Sequence, residues 1–232
     1  KDLGGTKFST TNGKTINAGS VTTFSNYSVV SENRVSKLPN NVPLDVGILL
    51  GCALPTGAGI IKNEIKINSE NSLAIIGLGG IGLCSLISAI DLNPKTLVCI
   101  DTNVAKLNFA KKLGVNSVIN PHDKNFFEIV KKITNGKGFD YVVESAGLTE
   151  TIELGFKIIK QKGGECIFGS HPKFGDKIKL DPFELISGKN IRGSWGGASN
   201  LDRDISYLSN LIIKNYCITK KIISPPYSLE DI

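Results

Sequence analysis

A glycine-rich turn between an apolar run and a helical pattern most constrains how this 232-residue chain can fold. Residues 74–82 read Ala-Ile-Ile-Gly-Leu-Gly-Gly-Ile-Gly. The spacing Gly-x-Gly-x-x-Gly, placed directly after a buried strand and before a helix, is typical of the phosphate-binding turn of a Rossmann-type fold. In such a turn Gly77 permits the tight bend, Gly79 permits the close approach of a pyrophosphate, and Gly82 permits close packing of helix on sheet.

An acidic residue at the end of the next apolar run supports this interpretation. Asp101 follows Gly82 by about 20 residues, where the fold presents a ribose-binding acid. The carboxylate of Asp101 would repel a 2′-phosphate there. The repulsion costs about 4 kcal/mol for each pair of unit charges at about 4 Å and an effective dielectric near 20. Thr102 follows instead of a phosphate-binding cation, so NAD is favoured over NADP. The backbone amides of Gly80 and Ile81 would then point at the phosphates.

These residues alone leave other interpretations open. The glycines can serve only a tight strand-to-helix turn, and Asp101 can be a solvated strand-end acid or a helix cap. A methyltransferase cofactor also remains possible, because related sheets use a ribose-binding acid.

Short apolar runs alternate with helix-length segments from residue 72 onward. This order predicts an α/β fold with a doubly wound, six-stranded parallel sheet. The predicted strands span 72–76, 96–101, 117–120, 141–144, 165–168 and 190–194. The predicted helices span 80–90, 103–113, 125–133, 149–159 and 201–213.

The chain before this unit has a different character. Residues 21–38 are rich in Ser, Thr, Val and aromatic residues, which predicts antiparallel strands. Residues 44–61 are small and apolar, which predicts a close-packed helix joining two domains. We therefore expect a partial β-rich domain over 1–53, the Rossmann domain over 54–195, and a return to the first domain over 196–232.

Composition excludes several classes of protein. No apolar run reaches the roughly 18 residues of a membrane span. The formal charge of +6 comes from dispersed lysines without interleaved aromatic residues, which disfavours nucleic-acid binding. Five cysteines, an odd number with no Cys-x-x-Cys pair, favour reduced thiols and a cytoplasmic location over a disulfide framework.

Several segments together resemble the zinc-containing medium-chain alcohol dehydrogenases. They are Gly-Cys-Ala-Leu-Pro-Thr-Gly-Ala-Gly at 51–59, the glycine turn at 77–82, Ile-Asp-Thr-Asn at 100–103, Thr-Phe-Ser-Asn-Tyr at 23–27, and residues 183–197. The similarity runs through nearly the whole chain. It implies a six-stranded NAD-binding domain inserted into a β-rich, GroES-like catalytic domain.

The resemblance also implies roles for individual residues. Cys52 would be a thiolate ligand of the catalytic zinc, although the residues alone favour a small buried hydrophobe there. Thr56 would lie beside the nicotinamide, and Lys106 near the adenosine ribose. Phe168 and Ser170 would lie near the nicotinamide, at the end of the fifth strand of the sheet.

This sequence departs from the family pattern in one respect that matters for activity. The family's other zinc ligands, a Cys and a His, its proton-relay Ser or Thr and its four-cysteine structural zinc lobe belong to sequence before Lys1. The chain has no Met, and residues 228–231 read as the start of a helix, so we expect a piece cut at both ends. Because catalytic zinc needs three protein ligands, this piece is expected to bind NAD without turning over alcohol.

The resemblance implies hydride transfer between NAD and an alcohol, aldehyde or ketone. A homodimer or homotetramer, paired through the edge strand near 191–195, is expected as well. Two alternatives remain: a non-catalytic NAD-binding sensor module, and a zinc-free reductase of the same superfamily.

Five residues carry sequence signals that we do not interpret as functional. Tyr216 and Lys220 copy the Tyr-x-x-x-Lys spacing of short-chain reductases, but they follow the sixth strand and lack a suitably placed serine. His122 and His171 have no ligand-spaced partner and are expected at the surface, where His171 could line the nicotinamide pocket. Trp195 is expected in the core or at an interface.

Overall fold

The computed structural model describes residues 7–9, 11–17 and 25–231. The chain divides into two compact units. The smaller unit comprises Lys1–Leu38 and Ser224–Ile232, and the larger unit comprises Pro39–Ile223.

The smaller unit contains little regular structure in its described part. Strands β1 (Lys7–Ser9) and β2 (Thr15–Asn17) form an antiparallel pair, and Glu32–Arg34 and Leu229–Asp231 form 3₁₀ turns. The prediction of strands over 21–38 is wrong for residues 25–38, whereas residues 21–24 lie outside the described part of the chain. The pattern of Ser, Thr and Val indicated strands, but no described segment pairs with residues 25–38, and an unpaired strand is not stable.

The larger unit is built on a six-stranded parallel sheet, as predicted. Its strands are β3 (Ser72–Ile76), β4 (Thr96–Ile100), β5 (Ser117–Ile119), β6 (Tyr141–Glu144), β7 (Glu165–Phe168) and β8 (Asn190–Gly193). Their order across the sheet is β5-β4-β3-β6-β7-β8, so the strand order reverses beside β3. In doubly wound sheets, ligands bind beyond the carboxyl ends of the strands at this reversal.

The central strands β3 and β4 are apolar after their first residue because both faces of the sheet are covered. Four of the five residues of β3, and four of the five of β4, are buried. One apolar cluster, which includes Leu73 and Ile75, lies on one face, and a second, which includes Ala74 and Ile76, lies on the other. This burial on two sides explains the continuous apolar runs that predicted the strands.

Helices cover both faces of the sheet. In the larger unit they are α1 (Leu44–Gly47), α2 (Ala53–Gly59), α3 (Gly80–Leu92), α4 (Val104–Lys112), α5 (Phe126–Ile133), α6 (Thr149–Ile158), α7 (Pro182–Ile186), α8 (Leu201–Lys214) and α9 (Tyr216–Thr219). Side chains of Asn103, Asp181 and Asn200 cap three of these helices by accepting backbone hydrogen bonds. The five predicted helices are present with ends shifted by at most two residues.

Residues 44–65 are helical except at Cys52, where the segment bends by 61°, so the close-packed helix predicted over 44–61 is present as two helical segments rather than one. A 3₁₀ turn at Ile48–Gly51 follows α1, and a π-helix at Ile60–Ile65 follows α2. A Cβ atom on Gly57 would lie 2.4 Å from the carbonyl oxygen of Ile81, so α2 packs directly against α3 through a glycine.

No single helix of the described residues is long and apolar enough to cross a membrane. The bent pair Leu44–Gly51 and Ala53–Ile65 passes that test of length and composition together. Most of the second segment is buried inside the protein.

Candidate dinucleotide site

The glycine turn between β3 and α3 has the geometry that its spacing predicted. Gly77 has a φ of 86°, a left-handed conformation that favours glycine. Its amide donates to the carbonyl oxygen of Ile100 at 2.8 Å, which ties the turn to the neighbouring strand. A Cβ atom on Gly77 would lie 2.7 Å from the amide nitrogen of Ala146, so a side chain has no space there.

The other two glycines of the motif have opposite environments. A Cβ atom on Gly82 would lie 1.9 Å from the carbonyl oxygen of Gly77 and 2.5 Å from the hydroxyl oxygen of Ser145. A Cβ atom on Gly79 would meet no heavy atom within 4 Å. Gly82 therefore permits packing, whereas Gly79 leaves the N-terminus of α3 open to a ligand.

Asp101 lies beside this turn and holds it in place. One carboxylate oxygen accepts a hydrogen bond from the amide of Leu78 at 2.6 Å, and the other accepts from the amide of Asn103 at 2.8 Å. The side chain is half-buried at the end of β4. Since a carboxylate offers about four lone-pair sites, both oxygens can still accept from a ribose hydroxyl. Asp101 is thus both a clamp on the turn and a ribose-binding candidate.

A surface pocket of about 440 Å³ opens in front of the turn. Its lining includes Gly79, Gly80, Asn103, Lys106, Phe109 and Lys221. Two lysines and no carboxylate line the pocket, and the N-terminus of the 13-residue helix α3 faces it. Backbone amides at a helix N-terminus and nearby ammonium groups are the donors that a pyrophosphate requires, so these residues fit a dinucleotide.

The residues expected near the nicotinamide do not line this pocket but form a second group. Thr56 is buried in α2, and Phe168 and Ser170 flank Gly169 at the carboxyl end of β7. A Cβ atom on Gly169 would lie 3.7 Å from Cγ2 of Thr56 and 3.9 Å from Cγ2 of Ile81. The first turn of α3 therefore lies between the pocket and this second group.

Cys52 does not form a metal centre with the residues around it. Its side chain is exposed, between a 3₁₀ turn and α2, so the interpretation as a small buried hydrophobe is wrong. Among the described residues, no group of three His, Cys, Asp or Glu side chains could hold a metal ion. Because catalytic zinc takes three protein ligands, the described residues do not fit a zinc site by themselves.

Glu144 is a buried carboxylate at this edge of the sheet that the sequence analysis missed. Its Oε1 accepts from the amides of Ala146 and Gly147 at 2.7 and 2.9 Å and from the Thr151 hydroxyl at 2.8 Å. Its Oε2 is buried without a hydrogen-bond partner, and burial raises the pKa of this carboxyl. Through Ala146, Glu144 positions the loop against which Gly77 packs.

The signals rejected in the sequence have structural explanations. The Tyr216 hydroxyl donates to Asp45 at 2.8 Å, and the Lys220 ammonium pairs with the same carboxylate at 3.1 Å. The hydrogen bond to Asp45 raises the pKa of Lys220, the opposite of what a catalytic lysine base needs.

The two histidines are exposed, as expected. His171 packs edge-on against Trp195, with the ring centroids 5.3 Å apart. Trp195 is 85% exposed, so its placement in the core is wrong for this chain.

Local spacing could have found only some of the pocket residues. Asn103 accepts hydrogen bonds from the amides of Ala105 and Lys106, a helix-capping pattern that is readable in sequence. Nothing in the local sequence indicates that Lys221 lines the pocket, because Lys221 belongs to a segment that follows the last strand of the sheet.

The comparisons with known proteins decide the family. The family described as zinc-binding dehydrogenase matches residues 80–213, which is more than half of the chain. This chain belongs to the zinc-binding dehydrogenase family. The resemblance noted in the sequence is thereby confirmed.

Curated relatives are similar over most of this chain. An alcohol dehydrogenase class-3 from Zea mays is 30% identical over 212 residues, covering 90% of this chain and 55% of that protein. An S-(hydroxymethyl)glutathione dehydrogenase from Synechocystis is 33% identical over 178 residues, covering 75% of this chain and 48% of that protein. The chain therefore spans about half the length of the curated relatives it matches.

Solved structures agree with the fold. An alcohol dehydrogenase zinc-binding domain protein from Burkholderia ambifaria has a TM-score of 0.79 and 29% identity, over 88% of this chain and 55% of that one. Benzyl alcohol dehydrogenase from Acinetobacter calcoaceticus has a TM-score of 0.75 and 26% identity, over 84% and 53%. The doubly wound sheet of this chain is thus the fold of these structural neighbours.

Proposed function

We propose that this chain is the NAD-binding part of an NAD- and zinc-dependent alcohol dehydrogenase. The observation that carries the proposal is the open N-terminus of α3 at Gly79, with Asp101 beside it at the end of β4. The relatives' names support an alcohol or aldehyde as the substrate. When bound, NAD would supply a hydride acceptor for the oxidation of an alcohol, and its reduced form would supply the hydride for the reduction of an aldehyde or ketone.

The chain's own residues would bind and orient the cofactor. The amides of Gly80 and Ile81 donate to the pyrophosphate, and Asp101 accepts from the adenosine ribose while Lys106 donates to it. Thr56, Phe168 and Ser170 would face the nicotinamide, because they form the group on the far side of the first turn of α3. These assignments rest on the resemblance together with the positions described above.

Zinc is proposed for the whole protein. Cys52 is exposed and free, so its thiolate could serve as one ligand, with the others outside the described residues. We derive no catalytic step through the metal from this chain. By itself the chain is expected to bind NAD and to leave alcohol unchanged.

A homodimer or homotetramer in the cytoplasm is proposed on two observations. Ile186 and Trp195, near the edge strand β8, are 82% and 85% exposed, and the main chain of an edge strand pairs readily with another strand. All five cysteines are free thiols, as in a reducing compartment. A monomer in sedimentation experiments at micromolar concentration would contradict the oligomer.

The proposal is tested by calorimetric titration of the chain with NAD and with NADP, beside an Asp101→Asn variant. Wild type should bind NAD more tightly, and the variant should lose most of the preference because the like charge that opposes the 2′-phosphate is gone. An asparagine offers one acceptor oxygen, so either Leu78 or Asn103 loses its partner, and circular dichroism must show that the variant is folded. A folded wild type that binds neither nucleotide would overturn the proposal.

A further inference from the structure

Lys221 lines the pocket in front of the glycine turn and has no part in the binding of NAD proposed above. It shares the pocket with Gly79, Gly80 and Lys106. It is contributed by the segment after α9, whereas the other three belong to α3, α4 and the turn between β3 and α3. The pocket is therefore closed on one side by a cation from a distant part of the chain.

Two contacts fix the position of Lys221. Its neighbour Ile222 is partly buried and packs against the apolar core on one face of the sheet. The Lys221 ammonium lies 5.3 Å from the ring centroid of Phe109, a residue of α4 that also lines the pocket. The ammonium is thus held at the rim of the pocket by a core anchor and a cation–π contact.

No carboxylate in the described part of the chain pairs with Lys221, in contrast to the lysines near it. Lys220 pairs with Asp45 at 3.1 Å, and Lys214 pairs with Asp91 at 2.5 Å. Lys220 and Lys221 carry the same charge but have different surroundings. Variants of these two residues therefore separate the effect of the position of Lys221 from the effect of its charge alone.

We infer that Lys221 is a binding residue for the pyrophosphate of the dinucleotide. The inference rests on the proposed binding of NAD and deepens it. A pyrophosphate carries two negative charges, while a helix N-terminus supplies about half a positive charge and Lys106 is assigned to the ribose. The unpaired ammonium of Lys221, on the rim of the same pocket, supplies the missing countercharge. The role is electrostatic, so arginine can replace lysine at this position.

The test measures dissociation constants of NAD, ADP and adenosine for wild type, Lys221→Ala, Lys221→Arg and Lys220→Ala by calorimetry at low and high salt. Lys221→Ala should weaken NAD and ADP about three- to tenfold at low salt and leave adenosine, which has no phosphate, unchanged. The loss should shrink at high salt because the site is exposed. Lys221→Arg and Lys220→Ala should bind all three ligands as wild type does.

The outcomes separate this inference from the proposed function. If folded wild type binds no NAD, the proposed function fails and the role of Lys221 fails with it. If wild type binds NAD and Lys221→Ala binds it equally well, only the role of Lys221 is overturned. An equal loss for adenosine would also overturn it, since the residue would then act on the nucleoside or on the fold rather than on the phosphates.

Discussion

Two glycines of the same turn should respond to alanine in opposite ways. At Gly82 an added methyl group would lie 1.9 Å from the Gly77 carbonyl oxygen, more than 1 Å closer than real Cβ contacts allow, so the backbone must move. Overpacking of this kind costs about 1 to 3 kcal/mol, and the better helix propensity of alanine offsets up to about 1 kcal/mol. Because the clash is with backbone rather than with a flexible side chain, the upper end of this range applies, and Gly82→Ala should lower the free energy of unfolding by about 2 kcal/mol.

Gly79→Ala serves as the matched control. Its stability should be close to that of wild type, but its affinity for NAD should be lower. The backbone at Gly79, with φ −83° and ψ −162°, suits any residue, and the new methyl group would meet no protein atom within 4 Å. Its free energy of unfolding should stay within about 1 kcal/mol of wild type, the small loss arising because alanine is a poorer N-cap residue than glycine. The methyl group would instead occupy the space that a pyrophosphate needs, and NAD should bind at least about tenfold more weakly.

Urea denaturation and calorimetric titration with NAD measure the two effects separately. The expected pattern is a stable variant that binds NAD poorly at position 79 and a destabilised variant at position 82. A Gly79→Ala protein that binds NAD as wild type does would refute the assignment of this turn to the pyrophosphate. A Gly82→Ala protein as stable as wild type would refute the packing argument.

Three further substitutions test other parts of the structure. Burial raises the pKa of Glu144, so the contribution of its protonated carboxyl to stability is present below the ordinary value of 4.5 and is lost as the pH rises through the folded pKa. The stability of Glu144→Gln relative to wild type, measured by urea titration, should therefore increase as the pH rises above 4.5. Hydrogen bonds from Arg203 lower the pKa of Asp204 to about 2, so its contribution is present above the unfolded value of 3.8 and is lost as the pH falls through about 2. Asp204→Asn should therefore cost about 1 kcal/mol at pH 7, with thermal melting curves that converge with wild type near pH 2. Cys52→Ser should leave NAD affinity unchanged and the free energy of unfolding within about 0.5 kcal/mol, because the thiol is exposed.

The sheet was predictable because its physical cause is visible in sequence. Strands such as β3 and β4 are buried on both faces and read as continuous apolar runs, and their predicted ends agree with the structure to within one residue. The turn at Gly77 was predictable because a left-handed φ and close backbone contacts both require glycine.

What the sequence did not reveal depends on contacts between distant segments. The composition of residues 25–38 favours strands, but a strand also needs a partner, and composition does not supply one. Cys52 has apolar neighbours in sequence, yet the structure leaves its thiol exposed. Lys221 reaches the pocket only because Ile222 is anchored in the core.

The site of NAD binding tests the central claim most directly. In a ¹⁵N-labelled sample of the chain titrated with NAD, the amide resonances of residues 78–81 and 103–106 should shift and saturate together. That result would place the cofactor at the glycine turn and beside α4. Shifts confined to the opposite edge of the sheet, around Ser72 and Thr134, or no shifts from a folded sample, would contradict the account.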